Sequence, residues 1–158
     1  MNIQCPTFVA GFLLLGVAGA AGCTRSTDAC NAADANPDLS GCKRTGIASF
    51  YADKFTGREM ADGTRMDPNA DNAASRTLPL GTTAKVTNLE TGLSAEVTIQ
   101  DRGPYVKGRI IDLSPATARE IGLDRKDGIT TVAVEPIEMP LPDGSVQQAA
   151  AVGDETRP

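Results

Sequence analysis

Alternating apolar and polar residues dominate the chain between residues 45 and 138 and predict a series of short β-strands. The clearest case is residues 82–101, where two arms with alternating apolar residues flank the turn-forming sequence NLETG. This pattern is typical of a β-hairpin. Further strands are predicted at 45–52, 108–114 and 128–138, which are rich in apolar, β-branched and aromatic residues.

A single short helix is predicted within SPATAREIG, which follows the strand at 108–114. Ser114 suits the N-cap, Pro115 the first helical position, and Gly122 the position that ends the helix. Residues 56–71 contain Gly, Pro, Asn and Asp throughout and are predicted as a loop. About six strands, one helix and long loops predict a mainly β protein built as a small six-stranded β-barrel.

The two ends of the chain lack such a pattern. Residues 23–44 are rich in Asn, Asp, Ala and Ser, which favours a flexible tether. Residues 139–158 contain three prolines and no packed pattern, so they are predicted as a flexible tail. One barrel domain is therefore expected at 45–138.

The N-terminus has the features of an export signal. The apolar segment FVAGFLLLGVAGA is followed by small residues, as in a secretory signal, so 1–22 is predicted as a signal peptide. The segment is short for a membrane-spanning helix. GAAGC at 19–23 resembles a bacterial lipobox, in which Cys23 would carry the lipid. Cleavage after the A-x-A at 18–20 is the alternative.

The cysteine count bears on this choice. Ordinary cleavage would leave three cysteines, Cys23, Cys30 and Cys42, an odd number for an oxidising compartment. Lipidation consumes Cys23 and leaves Cys30 and Cys42 to form a disulfide. The count therefore favours an exported protein anchored to a membrane through lipid on Cys23. No C-x-x-C pair or His accompanies these cysteines, so no metal site is predicted.

Charge and histidine content narrow the classes of function. The net charge is -5 and the isoelectric point is near 4.7, which argues against nucleic-acid binding, since that needs a basic face. The chain contains no His, the usual general base near neutral pH and a common metal ligand. Any acid or base chemistry therefore falls to carboxylates, and no cofactor is predicted.

Candidate chemistry lies in TIQDRGPYVKGRIIDLSP, residues 98–115. Asp101 and Asp112 each end an apolar run, and a Gly-Pro turn with Arg102 and Tyr105 follows the first. Carboxylates and guanidinium groups bind sugar hydroxyls and an aromatic face stacks on a sugar ring, so these residues could bind a glycan. On composition and spacing alone, ordinary turn and helix-capping roles are favoured for both aspartates.

Residues from Gly46 to about Glu138 resemble the rare lipoprotein A (RlpA-like) family of double-psi β-barrels, which are related to expansins and to an endoglucanase family. The segments that carry the resemblance are GIASFYADKFTGREMADGT, AASRTLPLGTTAKVTNLETG and VTIQDRGPYVKGRIIDLSPATAREIGL. They cover nearly all of the expected domain.

The resemblance implies a protein of the bacterial cell envelope that faces the periplasm and acts on peptidoglycan glycan strands. Characterised members are lytic transglycosylases, which cut between N-acetylmuramic acid and N-acetylglucosamine and leave a 1,6-anhydro end without consuming water. One acid that first donates and later accepts a proton can serve this reaction, whereas glycoside hydrolases usually need two carboxyl groups.

The resemblance also implies roles for individual residues. Asp101 matches a family active-site aspartate, and Asp112 matches the aspartate that lies over the glycan in the expansin and endoglucanase barrels. The residues expected along the same groove are Tyr51, Asp67, Arg102 and Tyr105.

Two positions depart from the family pattern. Thr64 stands where active members carry Glu, and Ser75 stands where they carry His. Both can hydrogen-bond a sugar, but neither is an acid or base near neutral pH. Three functions are therefore weighed: a lytic transglycosylase with Asp101 as acid/base and Asp112 assisting, an expansin-like module that binds peptidoglycan without cleaving it, and a structural lipoprotein whose barrel contacts other proteins.

Overall fold

The computed structural model describes residues 37–124 and 126–148. The predicted signal peptide, Cys23 and Cys30 lie outside the described residues. None of the helices in the described ranges is long and apolar enough to cross a membrane. The elements are β1 (Arg44–Phe50), a 3₁₀ helix (Asp53–Phe55), β2 (Asn72–Ser75), β3 (Thr83–Asn88), β4 (Ser94–Asp101), β5 (Arg109–Leu113), α1 (Pro115–Glu120), β6 (Ile129–Pro140) and β7 (Val146–Gln148).

Six of these strands close into a barrel in the order β1-β5-β2-β4-β3-β6, because β6 pairs back onto β1. The seventh strand, β7, pairs with β6 outside the barrel. The β1–β5 and β2–β4 pairs are parallel, while the other pairings are antiparallel. The prediction of a mainly β, six-stranded barrel with one short helix is confirmed.

The barrel interior is filled by small and branched apolar side chains. The β3–β4 hairpin places Ala84 and Val86 from one strand, and Val97 and Ile99 from the other, in this core. Each of these side chains is fully buried. The alternation of apolar residues along the sequence therefore matches the alternation of inward and outward positions in the hairpin.

Helix α1 begins and ends as its sequence predicts. The Ser114 hydroxyl accepts a hydrogen bond from the Thr117 N–H at 3.1 Å, and Pro115 is the first helical residue. Gly122 follows the helix with φ of 75°, a left-handed conformation that favours glycine. Ala118 in the helix and Ile121, the residue that follows it, both join the core of the barrel.

Two strands depart from the sequence pattern. Asn72–Ser75, which forms β2, has no alternating pattern, and its four residues are all buried. Burial between β4 and β5 overrides the weak β propensity of Asn and Ala. In the predicted tail, β6 continues to Pro140, and a turn returns the chain as β7. Residues 139–148 are therefore part of the sheet rather than a flexible segment.

The end of the predicted tether contacts the barrel. Asp38 is buried, its N–H donates to the Thr77 carbonyl at 2.7 Å, and its carboxylate lies 2.6 Å from Arg44 Nη2. Cys42 takes part in a disulfide. Its predicted partner, Cys30, lies outside the described residues, so the pairing of these two cysteines stays a prediction.

Replacing Gly46 with Ala should destabilise the barrel. A Cβ at this position in β1 would lie 2.7 Å from Cγ2 of Ile110 on the neighbouring strand β5, closer than carbon atoms pack. We expect a loss of about 1–3 kcal/mol in the free energy of unfolding, as for other overpacked sites. Urea unfolding of the wild type and of Gly46→Ala measures this loss. Gly63→Ala would not serve as a control, because the positive φ of Gly63 strains any other residue there whatever the packing. An unchanged midpoint would contradict the packing described.

Candidate active site

An open groove of about 540 Å³ runs over the barrel beside the ends of β1, β4 and β5. Its wall also includes the 3₁₀ helix that follows β1 and the turn between β4 and β5. Five of the residues predicted from sequence line this groove. They are Tyr51, Asp101, Arg102, Tyr105 and Asp112.

Strand β2 places Asp101 and Asp112 at the same level of the sheet, meaning that both pair with one residue of β2. Ala74 pairs with Asp101 in the parallel β2–β4 pairing and with Asp112 in the antiparallel β2–β5 pairing. Because neighbouring strands lie about 4.8 Å apart, the Cα atoms of the two aspartates are separated by about 10 Å. The small side chain of Ala74 lies between them and lines the groove.

Asp101 is held by three hydrogen bonds from three different segments. Its Oδ1 accepts from the backbone N–H of Ala61 at 3.1 Å and from that of Arg102 at 2.8 Å. Its Oδ2 accepts from the Tyr51 hydroxyl at 3.0 Å. Among the described residues Oδ2 has this one partner, so it is the oxygen with capacity left for a ligand.

Tyr51 supports Asp101 from beneath the groove. Its side chain is buried and meets the Phe55 ring edge to face, with 6.0 Å between ring centroids. Burial raises the pKa of the Tyr51 hydroxyl well above its ordinary value, and the negative charges of Asp101 and Asp112 and the hydrogen bond to Asp101 raise it further. Tyr51 therefore keeps its proton and remains a donor to Asp101.

This arrangement predicts an unusual tyrosine titration. The chain has two tyrosines, so in Tyr105→Phe only Tyr51 can form tyrosinate. Because burial and the two aspartates raise the pKa of Tyr51, no tyrosinate absorbance should appear until well above pH 10. Tyr51 ionises more easily in the unfolded chain than in the folded protein. Its contribution to the free energy of unfolding is therefore complete below pH 10 and decreases as the pH rises above 10. Ultraviolet titration followed together with circular dichroism tests this; tyrosinate near pH 10 in the folded protein would contradict it.

Asp112 is held by a second polar cluster. Its Oδ1 accepts from the Ser49 hydroxyl of β1 and lies 2.6 Å from Arg109 Nη2. The guanidinium of Arg109 also donates to the Ser49 hydroxyl. Asp112 and Arg109 both line the groove with partly exposed side chains, so this ion pair lies on the groove wall.

Arg109 was not predicted as a site residue. Three positions separate it from Asp112, and strict alternation would place the two side chains on opposite faces of β5. A register shift in the β1–β5 pairing, where Ile47 pairs with Arg109 but Ala48 pairs with Ile111, breaks this alternation. Sequence offered only one signal for Arg109, a cation at the start of the strand that carries Asp112.

Three other predicted residues do not line the groove. Thr64 is exposed, and both its hydroxyl and its N–H donate to Asp62 Oδ1, at 2.6 and 2.8 Å. Asp67 is exposed and accepts from the Asn69 N–H at 2.8 Å. Ser75 is buried, and its hydroxyl accepts from the Leu78 N–H at 3.3 Å. Ser75 follows the groove-lining Ala74, so its side chain is directed to the other face of β2.

The backbone N–H and the side chain of Arg102 have different hydrogen-bond partners. Its N–H holds Asp101, while its Nη1 donates to the carbonyls of Ser75 and Leu78, at 3.1 and 2.6 Å. The guanidinium therefore fixes the segment after β2 against the groove. Within the described ranges, no group of three or more His, Cys, Asp or Glu residues is placed to hold a metal ion.

Comparison with known proteins identifies relatives of this barrel. The family profile described as lytic transglycolase matches residues 43–134. The endolytic peptidoglycan transglycosylase RlpA of Pasteurella multocida is 52% identical over 102 residues, which cover 65% of this chain and 34% of the relative. A probable enzyme of the same name from Synechocystis is 50% identical over 93 residues, covering 59% and 29%. The chain thus spans about a third of the length of these curated relatives.

Solved structures with a similar course of the chain include two bacterial proteins. A Streptomyces papain inhibitor has a TM-score of 0.47 at 26% identity, over 60% of this chain and 94% of that protein. An apo expansin from Clavibacter michiganensis has a TM-score of 0.48 at 22% identity, over 63% and 52% of the two chains.

Proposed function

Because the chain belongs to the lytic transglycolase family of double-psi β-barrels, we propose that it cleaves peptidoglycan glycan strands as a lytic transglycosylase. The observation that carries the proposal is the pairing of Ala74 with both Asp101 and Asp112, which places two carboxyl groups at one level of an open groove. The names of the curated relatives supply the substrate and the reaction type.

The groove has the chemistry of a glycan site. Tyr105 on the groove wall is 79% exposed, and its ring offers a flat apolar face to a sugar ring. The carboxyl groups of Asp101 and Asp112 and the guanidinium of Arg109 offer hydrogen-bond partners for hydroxyl and acetamido groups.

Asp101 acts as both acid and base in the proposed reaction. Its carboxyl group donates a proton to the glycosidic oxygen as the bond from that oxygen to C1 of N-acetylmuramic acid breaks. The resulting carboxylate then takes the proton from the 6-hydroxyl of the same muramic acid, whose oxygen bonds to C1. Protons and bonds balance without water, and the products are a free 4-hydroxyl and a 1,6-anhydro ring.

Oδ2 is the oxygen of Asp101 through which the proton moves. Oδ1 is occupied by two backbone N–H groups, whereas Oδ2 meets only the Tyr51 hydroxyl among the described residues. The two backbone donors fix the plane of the carboxyl group and direct Oδ2 toward the substrate. Tyr51, protonated throughout, stabilises the carboxylate between the two proton transfers.

Asp112 assists from the opposite side of Ala74. The Ser49 hydroxyl and the Arg109 guanidinium fix its orientation, and it faces the same groove. A carboxylate at this distance stabilises the positive charge that develops on the sugar ring as the glycosidic bond breaks.

We further propose that the chain is exported and anchored in the bacterial cell envelope through lipid on Cys23, facing the periplasm. The lipobox-like sequence at 19–23 and the remaining cysteines, Cys30 and Cys42, support this. Cys23→Ala should move the protein from the detergent phase to the aqueous phase in phase partitioning. If Cys23→Ala stays in the detergent phase as the wild type does, the lipid anchor is refuted. Cys30→Ser is the matched control and should partition as the wild type does.

A second candidate function is glycan binding without cleavage. The observation that favours it is the position of Thr64 and Ser75, which replace the Glu and His of active members and do not line the groove. Neither side chain can supply a proton near neutral pH. In this case Asp101 and Asp112 would bind sugar hydroxyls as fixed carboxylates and the groove would hold the strand intact.

Digestion of purified, stem-peptide-free glycan strands separates the two candidates. The transglycosylase is expected to release fragments with 1,6-anhydro ends, detected by mass analysis. If the protein pulls down with sacculi but produces no new ends at high concentration, cleavage is refuted and binding stands.

A further inference from the structure

A smaller pocket, which we call the methionine pocket, lies beside the groove at Asp101. Met60 and Met66 line this pocket, and it shares Tyr51, Phe55 and Asp101 with the lining of the groove. Its volume is about 190 Å³, below the usual range for a whole small-molecule ligand. The methionine pocket therefore suits a substituent of a sugar that is bound in the groove rather than a further sugar ring.

The loop between the 3₁₀ helix and β2 supplies one wall of the methionine pocket. This loop folds back on itself, because the Gly57 N–H donates to the Met66 carbonyl at 2.9 Å and the Met66 N–H donates to the Arg58 carbonyl at 2.8 Å. Within the same loop, the Ala61 N–H donates to Asp101 Oδ1 at 3.1 Å. The wall of the pocket is therefore held by one of the contacts that hold Asp101.

The most buried residues that line the pocket are its two methionines. Met60 and Met66 belong with Tyr51 and Ala74 to a small apolar cluster that is separate from the barrel core, and the half-buried Phe55 packs against this cluster. Methionine side chains are polarizable and adapt to the shape of their neighbours. This part of the pocket therefore suits a small apolar group such as a methyl.

Two exposed residues of the pocket, Arg58 and Glu59, supply a hydrogen-bond donor and an acceptor. The guanidinium carbon of Arg58 lies 5.5 Å from the centroid of the Phe55 ring, and Arg58 forms no ion pair with a described residue. The carboxyl groups of Glu59 and Asp101 would repel a free anion. A neutral group that carries an acceptor, a donor and a methyl fits this lining better than an anion does.

We propose that the methionine pocket binds the acetamido group of the sugar that lies beside Asp101. The acetamido carbonyl accepts a hydrogen bond from the Arg58 guanidinium, and the acetamido N–H donates to the Glu59 carboxylate. The methyl group contacts Met60 and Met66. This assignment rests on the proposed action on a glycan and adds a selection by the site, which prefers N-acetylated sugars to unsubstituted glucose.

The binding of two hexasaccharides tests this selection. Calorimetry with the full chain compares a hexamer of β-1,4-linked N-acetylglucosamine with a hexamer of β-1,4-linked glucose, which has a hydroxyl in place of each acetamido group. The glucose hexamer should bind at least about tenfold more weakly, because it lacks the acetamido hydrogen bonds and the methyl contact. Equal binding of the two hexamers, or binding of neither, would overturn the proposal.

Arg58→Ala tests whether the methionine pocket causes the preference. This variant should bind the acetylated hexamer roughly tenfold more weakly than the wild type does and the glucose hexamer equally well. The backbone hydrogen bonds of Arg58 to Phe55 and Met66 do not involve its side chain, so the loop should keep its fold. Arg76→Ala, which removes an exposed arginine outside the groove and the pocket, is the matched control and should bind as the wild type does. An unchanged preference in Arg58→Ala would refute the assignment.

These measurements are independent of cleavage. Peptidoglycan strands that stay intact would refute the proposed catalysis, whereas the preference for the acetylated hexamer would stand. A protein that cuts the strands but binds both hexamers equally would refute the assignment of the pocket and leave the catalysis in place.

Discussion

Asp101→Asn should lower the rate of anhydro-end formation by roughly a hundredfold or more, the contribution typical of a general acid or base. The amide cannot donate a proton to the glycosidic oxygen or take one from the 6-hydroxyl. Its carbonyl oxygen can still accept from the N–H groups of Ala61 and Arg102, so the groove should keep its shape. The rate is measured by mass analysis of strands digested over time.

The control for this variant is Asp127→Asn, an exposed aspartate before β6 that does not line the groove. It should cleave at the wild-type rate. Circular dichroism and the unfolding midpoint should show that Asp101→Asn remains folded. A folded Asp101→Asn protein that cleaves at the wild-type rate would remove Asp101 from the reaction.

Asp38→Asn should cost about 3 kcal/mol in the free energy of unfolding, because the amide no longer carries the charge that attracts Arg44 in a buried ion pair. The side chain of Asp38 is 3% exposed and that of Arg44 is 19% exposed. A carboxylate oxygen of Asp38 lies 2.6 Å from Arg44 Nη2. The pair joins the residues before β1 to the barrel, and Asp38 also accepts from the Ser40 N–H at 3.0 Å. Urea unfolding measures the loss.

The pair between Lys43 and Glu135, whose side chains are 57% and 33% exposed and lie 3.8 Å apart, is a more exposed ion pair for comparison. Glu135→Gln breaks an ion pair in the same part of the barrel and should change the free energy of unfolding by less than about 1 kcal/mol. Equal losses for Asp38→Asn and Glu135→Gln would contradict the distinct role of the buried pair.

Sequence predicts the regular parts of this barrel well. The β3–β4 hairpin and helix α1 carry their signals locally, in alternating apolar residues and in the cap formed by Ser114. Strand β2 carries no such signal, because Asn72–Ser75 becomes a strand through burial between β4 and β5. Without β2, sequence spacing cannot show that Asp101 and Asp112 lie at one level, since Ala74 sets that relation.

The support around the aspartates depends on contacts between distant residues. Tyr51 lies fifty positions before Asp101, and the Ala61 N–H comes from a long loop. Local patterns do not report such contacts. The register shift that lets Arg109 meet Asp112 is likewise set by packing between β1 and β5. Sequence therefore predicted Asp101 and Asp112 as candidate groups, and the structure shows which contacts hold their side chains.

The identity of the cleaved end tests catalysis at the groove most directly. Peptide-free glycan strands are digested with wild-type protein in water labelled with heavy oxygen, and the new ends are weighed. A lytic transglycosylase gives 1,6-anhydro ends, each lighter than a hydrolysed end by one water and free of the label. New ends that carry heavy oxygen, or strands that stay intact while bound to the protein, would contradict the proposed reaction.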